Sequence, residues 1–219
     1  MSRYKLFIFD FDGTLVDTAP DITHYINEIF ISKGLLPNSI EDVKNSIGWG
    51  VHELVQKLAA KQSVGLSAAD LEVFVSEFKD NYRKAPSVRS RPYEGVMEML
   101  SGELSSVEKS IVTNKPHELT VQILKELNME RFFKTVIGTG IGYDPKPSIL
   151  STEETMKLMN ASKHNTLFIG DSRIDQETAK RAEVDFAWMT YGYDKAWESE
   201  PEYVFNSAFE WRTILNEHV

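Results

Sequence analysis

The sequence contains no cysteine, and this absence excludes several kinds of chemistry. Disulfide bonds, zinc sites built on thiolates and catalysis by a cysteine nucleophile all require a residue that the chain lacks. A protein without cysteine suits a reducing compartment, so we expect a cytoplasmic location. The chain also lacks a long apolar run. Asp10 and Asp12 interrupt its hydrophobic start well before the length of a signal sequence or a membrane span, and we expect no membrane association.

The chain has fewer basic than acidic residues. The 219-residue chain has 24 Lys and Arg against 33 Asp and Glu, which gives a formal net charge of -9. It has no run of basic residues that could neutralise a phosphate backbone, so we expect no nucleic-acid partner. An acidic protein that handles an anionic substrate needs local positive charge, supplied by a few lysines or by a metal ion.

Short apolar runs alternate with amphipathic stretches over much of the chain. The runs predict strands at 5–9, 110–113, 135–138, 166–170 and 185–189, and the amphipathic stretches predict helices at 95–104, 118–127, 148–159 and 176–182. Alternation of this kind is typical of an α/β fold with a doubly wound parallel sheet.

The segment 18–89 breaks this alternation, because it contains helical patterns and no candidate strand. A helix beginning at Ala68 has apolar residues at helical spacing, and Ser67 with Asp70 forms a capping pattern at its start. Ser39 with Asp42 forms a second such pattern. We therefore predict two domains, an α/β core at 1–17 and 90–219 and an inserted α-helical cap of four helices at 18–89.

Polar clusters follow three of the predicted strands. They comprise residues 10–14, residues 113–115 and residues 170–172, with Asp175 slightly beyond the third. Ligands bind open α/β sheets at the carboxyl ends of the strands, so these clusters should meet in one crevice.

The carboxylates of these clusters suggest a chemistry. Asp10 and Asp12 lie two residues apart, and their mutual repulsion separates their pKa values unless a cation intervenes, so they can perform different tasks. Asp171 and Asp175 add hard oxygen ligands, and without cysteine or clustered histidine this donor set favours Mg²⁺. Lys146, held between two prolines, suits a phosphate oxygen.

These residues resemble the motifs of the haloacid dehalogenase (HAD) superfamily, and within it the phosphoglycolate-phosphatase-like branch. The resemblance covers nearly the whole chain, through DFDGTLVDT at 10–18, TN at 113–114, Lys146 and GDSRID at 170–175, in the family's order. It implies a HAD-like, Rossmann-type core with a helical cap. Many relatives have K-P-x-P after the lysine, whereas this chain continues as Lys146-Pro147-Ser148-Ile149.

The resemblance also implies a role for each residue of the phosphoryl-transfer reaction. Asp10 would attack phosphorus and form an aspartyl-phosphate, while Asp12 would protonate the leaving oxygen and then activate water. Thr113 and the backbone around Asn114 would hold phosphoryl oxygens, and Lys146 would offset the developing charge.

The same resemblance implies the metal ligands. Mg²⁺ would contact Asp10, Asp171 and the carbonyl of Asp12, and Asp175 would act through water or through neighbouring residues. A loop at 48–50 corresponds to a substrate-facing loop of relatives, which makes Trp49 a candidate for substrate specificity and Arg83 another.

The sequence therefore predicts a Mg²⁺-dependent phosphatase that hydrolyses a small phosphate monoester, with phosphoglycolate as the leading candidate. We expect a small phosphorylated metabolite as its partner and a monomer or homodimer as its assembly. The alternatives are a sugar phosphomutase, a pyrophosphatase or 5'-nucleotidase, and a non-catalytic binding protein on the same fold. The cap histidine of the mutases would fall near Ile22, and His24 is out of register with that position.

Overall fold

A computed structural model describes residues 3–195 and 197–215. Within these residues the chain forms eight strands: β1 (Leu6–Phe9), β2 (Val16–Asp17), β3 (Arg91–Pro92), β4 (Glu108–Pro116), β5 (Thr135–Thr139), β6 (Thr166–Gly170), β7 (Asp185–Met189) and β8 (Tyr203–Phe205). The described helices are α1 (Ala19–Ser32), α2 (Ile40–Lys44), α3 (Val51–Lys61), α4 (Ala68–Lys84), α5 (Val96–Ser101), α6 (His117–Glu126), α7 (Leu150–Leu158), α8 (Arg173–Ala182) and α9 (Arg212–Leu215).

Six strands form one parallel sheet in the order β5-β4-β1-β6-β7-β8. The predicted α/β class with a parallel sheet is confirmed, and the five predicted strands form five of the six positions. The sequence patterns missed β8, a three-residue strand at the edge of the sheet. The chain extends the sheet to one side of β1 with β4 and β5, then crosses to add β6 on the other side.

Every residue of β1 is apolar, and the position of this strand in the sheet explains why. Leu6 and Ile8 belong to an apolar cluster on one face of the sheet, while Phe7 and Phe9 belong to a second cluster on the other face. Successive side chains of a strand point to opposite faces, so a strand covered on both sides needs apolar residues at every position. This arrangement places β1 in the centre of the protein.

Four helices, α1 to α4, lie in the segment 18–89, as the sequence pattern predicted. Ser39 and Ser67 accept hydrogen bonds from the backbone N–H of Asp42 and Asp70, both at 3.1 Å, and so begin α2 and α4. The apolar face of α4 is buried as expected, at Leu71, Phe74, Val75, Phe78 and Tyr82. The division of the chain into a core domain and a cap domain stays a prediction.

The chain passes twice between the sheet and this helical segment, and the two passages lie side by side. β2 pairs with β3 in antiparallel orientation. Beside this pair, the buried carboxylate of Asp21 accepts hydrogen bonds from the backbone N–H of Arg89 at 2.9 Å and of Ser90 at 2.7 Å. One acidic side chain thus joins the start of the segment to its end.

The four helices predicted between the strands differ from their predicted bounds by one to three residues at one or both ends, and α8 begins at Arg173 instead of residue 176. α5 ends at Ser101 and gives way to a 3₁₀ turn at Glu103–Ser106, and α7 begins at Leu150 instead of residue 148. Lys146 lies in the loop before α7. None of the described helices combines the length and the apolar character that crossing a membrane requires.

Candidate active site

Asp10 directly follows β1, the strand beside which the strand order of the sheet reverses. Its backbone N–H donates to the carbonyl of Ile169 at 2.9 Å, which continues the ladder between β1 and β6 by one residue. The chain then turns sharply through Gly13, whose φ of +88° is a conformation that favours glycine. Open α/β sheets bind ligands at such a switch point, so Asp10 occupies the position where a site is expected.

Three carboxylates meet at this edge of the sheet. Asp10, Asp171 and Asp175 are buried and each offers an oxygen within 4.8 Å of the others. Asp171 accepts hydrogen bonds from Thr14 Oγ1 at 2.7 Å and from the backbone N–H of Tyr193 at 2.8 Å. These two donors orient the carboxylate and leave it beside Asp10.

Two glycines make room for Asp171. A Cβ atom added to Gly13 would lie 2.3 Å from Asp171 Oδ2, and one added to Gly192 would lie 2.1 Å from Asp171 Cβ. Both distances are far below a van der Waals contact. The carboxylate can occupy its position only because the two backbone segments beside it carry no side chain.

Lys146 brings the positive charge that an acidic chain needs here. Its Nζ lies 2.9 Å from Asp10 Oδ1 and 2.5 Å from Asp175 Oδ1, and its side chain is buried. Burial alone would lower the pKa of Lys146, but the charges of Asp10 and Asp175 outweigh it and raise the pKa above its ordinary value. Lys146 therefore stays protonated at neutral pH.

The carboxylates respond in the opposite sense. Burial, followed by the charges of Asp175 and Asp10, raises the pKa of Asp171 well above its usual range. Burial and the charge of Asp10 raise the pKa of Asp175 to about 6, although the Lys146 ammonium opposes this shift. The protein alone therefore disfavours three ionised carboxylates in this space.

The donor set fits a divalent cation. The three ionised carboxylates and the one ammonium leave a net charge of about -2 in a buried cluster. Asp10 Oδ1 is buried and accepts no hydrogen bond within the described part of the chain, because its contact with Lys146 is an ion pair without hydrogen-bond alignment. Oxygen donors of this kind, with no nitrogen or sulfur ligand, suit a hard cation.

Asp12 faces the same space with partners of its own. Thr18 Oγ1 donates to its Oδ1 at 2.5 Å, and Lys115 Nζ lies 3.0 and 3.2 Å from its two oxygens. Lys115 also donates to the hydroxyl of Tyr82 on α4, at 3.2 Å. Asp12 is thus held by residues of the helical segment as well as by β4.

Thr113 and Asn114 lie on β4 beside these aspartates, in the wall of the same cavity. The side-chain amide of Asn114 donates to the carbonyls of Gly48 at 2.9 Å and Lys146 at 3.0 Å, and accepts from the backbone N–H of Lys146 at 2.7 Å. Because that side chain is engaged, Asn114 can offer a ligand only its backbone. It also fixes the loop that carries Lys146.

An inner cavity of about 50 Å³ lies between these residues and the helices. Its far wall is apolar and is formed by Ile22, Ile47, Val51, Leu54, Phe78 and Leu119. Trp49 does not line it. This residue is about half exposed and lies against Lys57. It borders the cleft outside, where Arg83 also lies, and a second cavity that Asp10, Asp12 and Asp171 line. The specificity role of Trp49 stays a prediction.

The structure thus brings together Asp10, Asp12, Thr113, Asn114, Lys146, Asp171 and Asp175, which sequence analysis selected. Four further residues contact the site without an individual role from the sequence: Thr14, Thr18, Tyr82 and Lys115, of which Thr14 and Lys115 belong to the predicted polar clusters. Lys115 directly follows Thr113 and Asn114, which was a usable signal. Tyr82 fits the apolar face of α4, so no pattern distinguishes its hydroxyl.

A family model for haloacid dehalogenase-like hydrolases matches residues 7–189. The chain therefore belongs to the haloacid dehalogenase-like hydrolases. The fold and the acidic site at the switch point agree with this assignment, and the resemblance seen in the motifs is confirmed.

Three relatives illustrate the similarity. A phosphoglycolate phosphatase 1 of Pseudomonas aeruginosa is 33% identical over 193 residues, which cover 87% of this chain and 71% of that protein. A phosphoglycolate phosphatase of Aquifex aeolicus is 28% identical, and the match covers 98% of both chains. A crystal structure from Haemophilus somnus, described as a predicted phosphoglycolate phosphatase, superposes with a TM-score of 0.90 at 26% identity, covering 98% of this chain and 99% of that one.

Proposed function

We propose that this hydrolase cleaves small phosphate monoesters through an aspartyl-phosphate on Asp10, and that phosphoglycolate is its leading substrate candidate. The enzyme class, a phosphatase acting on phosphoric monoesters, follows from the family and from relatives named phosphoglycolate phosphatase. The observation that carries the proposal is the buried Asp10 carboxylate. It faces the cavity beside Lys146 and two further carboxylates, with one oxygen that accepts no hydrogen bond from the described residues.

Mg²⁺ is the cofactor we propose. Asp10, Asp171 and the carbonyl of Asp12 would hold it, with Asp175 acting through Lys146 and Ser172, its hydrogen-bond partners. A bound Mg²⁺ ion would neutralise negative charge on the transferring group. The chain's own contribution is to hold the carboxylates within reach of one another and to exclude water from them.

In the first half of the reaction an oxygen of Asp10 would bond to phosphorus as the bond from phosphorus to the ester oxygen breaks. Asp12 would give its proton to the departing oxygen, so the alcohol leaves neutral. In the second half a water molecule would attack the same phosphorus, Asp12 would take the proton, and the bond to Asp10 would break. Inorganic phosphate and the free carboxylate result.

Other residues would position the phosphoryl group. Thr113 Oγ1 and the backbone of Asn114 are suited to its oxygens, since both residues line the cavity beside Asp10. Lys146 would offset the charge that develops on those oxygens while it remains paired with Asp175. Such positioning and charge stabilisation account for most of the catalysis in phosphoryl transfer.

Two alternatives receive less support. A phosphomutase would need a proton carrier near Ile22, yet His24 is partly exposed and lies 3.6 Å from Glu28, while Ile22 itself lines the cavity. A nucleotidase would need space for a nucleoside, and the inner cavity, at about 50 Å³, holds roughly four water molecules. A short leaving group fits the inner cavity better, whereas a second cavity of about 340 Å³, which Asp10 and Asp12 also line, has room for a larger one.

The proposal is tested with phosphoglycolate, a sugar phosphate and a nucleotide, with Mg²⁺ and with EDTA. We expect hydrolysis that EDTA abolishes, and a loss of at least ~10³-fold in kcat for Asp10→Asn. Rapid acid quenching with ³²P-labelled substrate should leave label on the wild-type chain and none on this variant. Asp80→Asn, at an exposed position of α4, is the matched control and should behave as wild type.

Hydrolysis that persists unchanged in Asp10→Asn, or in EDTA, would contradict the proposal. Conversion of a sugar phosphate into its isomer without release of phosphate would support the mutase instead. Binding of these compounds without any turnover would support a non-catalytic protein.

A further inference from the structure

The second cavity gives the aspartate site more room than the inner one. Asp10 and Asp12 line both cavities, and the second has a volume of about 340 Å³ against about 50 Å³. Because both spaces begin at the same two carboxylates, a phosphoryl group beside Asp10 can direct its ester oxygen into either of them. The second cavity has the size that ligand pockets commonly have, roughly 300–1,000 Å³.

The helical segment contributes a basic wall to the second cavity. Lys44 at the end of α2 and Lys57 on α3 both line it, and we refer to them as the lysine pair. Both side chains are partly buried. Lys44 Nζ lies 3.7 Å from Glu41, Lys57 Nζ lies 3.8 Å from Glu53, and neither glutamate lines the cavity. The nearest anions of the lysine pair are thus outside the space that a ligand would occupy.

The lysine pair differs from the other cations beside the site. Lys146 and Lys115 each donate a hydrogen bond to an aspartate of the site, and Arg173 donates to Asp194. Neither member of the lysine pair makes a hydrogen bond within the described residues, because their ion pairs are longer than a hydrogen bond. Their donor hydrogens are therefore available to a ligand.

The charge of the lysine pair indicates the charge of that ligand. Two ammonium groups complement a dianion, and a phosphate monoester is close to a dianion at neutral pH, whereas a carboxylate has a single charge. Among the described residues, no carboxylate that lines the cavity forms an ion pair with the lysine pair. A phosphate bound there would not have to displace an internal partner from the cavity.

We propose that the second cavity binds a leaving group that carries a phosphate of its own, and that Lys44 and Lys57 hold this distal phosphate. The substrate class is a bisphosphorylated metabolite, which is larger and more highly charged than phosphoglycolate. This proposal rests on the proposed function, because the second cavity opens on the same aspartates. Lys44 and Lys57 are specificity determinants, distinct from the residues that would contact the transferred phosphorus.

The reaction balances with water as the only co-reactant. The bond between the ester oxygen and the phosphorus beside Asp10 breaks, and the ester oxygen takes a proton and leaves as an alcohol. The distal phosphate stays on that alcohol. Water then releases the transferred group, so one bisphosphate and one water give a monophosphate and inorganic phosphate.

The test compares alkanediol bisphosphates of three to six carbons with alkyl phosphates of the same length, in which only the distal phosphate is missing. The measured quantity is the ratio of kcat/KM for the bisphosphate to kcat/KM for the monophosphate, corrected for the two equivalent phosphates of the former. We expect the wild-type ratio to reach at least ~10 at one of these lengths. It should fall towards one in ~0.5 M NaCl, which screens partly exposed charges.

Variants of the lysine pair show whether it causes the preference. Lys44→Met and Lys57→Met should each lower the ratio by about 3- to 10-fold, mainly through KM for the bisphosphate. The matched control is Lys79→Met. Lys79 is a partly buried lysine on α4 that borders the outer cleft and not the second cavity, so its removal controls for a general loss of positive charge and should leave the ratio unchanged.

A second measurement needs neither a variant nor turnover. In calorimetric titration with Mg²⁺ present, an alkane bisphosphonate should bind the wild type at least ~10-fold more tightly than the alkylphosphonate of the same length. Two natural pairs then distinguish the source of the leaving group. They are fructose 1,6-bisphosphate against its two monophosphates, and adenosine 3',5'-bisphosphate against AMP. A preference for the bisphosphate in either pair supports the proposal and identifies a sugar or a nucleoside.

The outcomes separate this proposal from the function on which it rests. Equal kcat/KM values for bisphosphates and monophosphates at every length would overturn the role of the second cavity and leave the phosphatase intact. A preference that survives Lys44→Met combined with Lys57→Met, or that Lys79→Met lowers as much, would do the same. If a variant fails to fold, the phosphonates decide, and equal binding overturns the proposal. No turnover of any ester by the wild type would refute the proposed function, while the phosphonates would still test the lysine pair.

Discussion

The two sides of the inner cavity differ in composition. On one side lies the floor, a buried charged cluster in which Asp10 lines the cavity and Asp171, Asp175 and Lys146 lie beside Asp10 without lining it. The other side, the roof, consists of apolar residues from α1, α3 and α4: Ile22, Val51, Leu54 and Phe78. The floor has the charged groups that the proposed phosphoryl transfer would use, and the roof is apolar and uncharged.

This difference separates two tasks. Charged residues of the floor are held by parallel strands and by close glycines, so their geometry changes little with the identity of the leaving group. In the proposed reaction the roof would contact the part of the substrate beyond the ester oxygen, and its residues come from helices that could change without disturbing the floor. We therefore expect floor variants to affect all substrates and roof variants to affect the choice among them.

The largest effect should come from removing the only cation of the floor. Lys146→Met leaves two carboxylates without their common partner. We expect the free energy of unfolding in EDTA at pH 7 to fall by about 3–5 kcal/mol, since breaking a buried ion pair leaves uncompensated charge. Urea unfolding measures it. Lys157→Met, at an exposed lysine of α7, should cost under ~0.5 kcal/mol, and an equal loss in both variants would contradict the prediction.

The free energy of unfolding of the metal-free protein should depend on pH, because the floor holds buried carboxylates close together. The pKa of Asp175 is raised from 3.8 to about 6, so the folded state holds its proton longer than the unfolded state. Stability is therefore lost as pH rises through roughly 4 to 6, by about 3 kcal/mol at most. Asp175→Asn lacks this ionisation and should lose less stability over the same range.

The measurement is urea unfolding of both proteins in EDTA between pH 4 and pH 7. Mg²⁺ should reduce the loss for the wild type, because bound cation stabilises the ionised carboxylates. Parallel stability curves for wild type and Asp175→Asn would show that this carboxylate is not strained.

A smaller effect should follow from adding one methyl group to the floor. Gly13→Ala would place a Cβ 2.3 Å from Asp171 Oδ2, whereas Gly34 has a similar positive φ and nothing within 4 Å of an added Cβ. Both alanine variants should lose ~1–3 kcal/mol from backbone strain. Only Gly13→Ala should also weaken Mg²⁺ binding, by ~10-fold or more in calorimetric titration. Equal metal affinity in the two variants would mean that Asp171 tolerates displacement.

The smallest effect should come from Trp49, which lies outside the roof. Its side chain is about half exposed and does not line the inner cavity, although it borders the outer cleft and a second cavity shared with Asp10 and Asp12. We expect Trp49→Ala to change kcat/KM by less than ~2-fold for every ester tested. A change in the order of preferred substrates would place specificity in the outer cleft, and the contrast between floor and roof would then be incomplete.

The floor could be predicted from sequence because its residues follow strands in short contiguous motifs. Asp10 belongs to the motif DFDGT and Asp171 and Asp175 to the motif GDSRID, and both motifs are recognisable without knowing the fold. The roof could not be predicted in this way. Its residues have the helical spacing of ordinary core positions, and only the packing of α1, α3 and α4 shows which of them reach the cavity.

The strands likewise divide into those that the sequence predicts and those that it does not. Strands buried on both faces have uninterrupted apolar runs, so β1 and β6 were predicted almost to the residue. β8 has three residues at the sheet edge, too few for a periodic pattern. The contact between Lys115 and Tyr82 joins residues 33 positions apart, and no local pattern reports such a distance.

Tyr193 connects two parts of the protein that are far apart in sequence. Its backbone N–H donates to Asp171 in the floor, while its hydroxyl accepts from the backbone N–H of Thr18 and Ala19, where the helical segment begins, and donates to Asp17. A cation bound at Asp171 and the orientation of that segment would then share one anchor. A ligand that favours one orientation of the helices through this anchor should therefore change the affinity of the protein for the cation. By thermodynamic reciprocity, the cation should change the affinity for that ligand by the same factor.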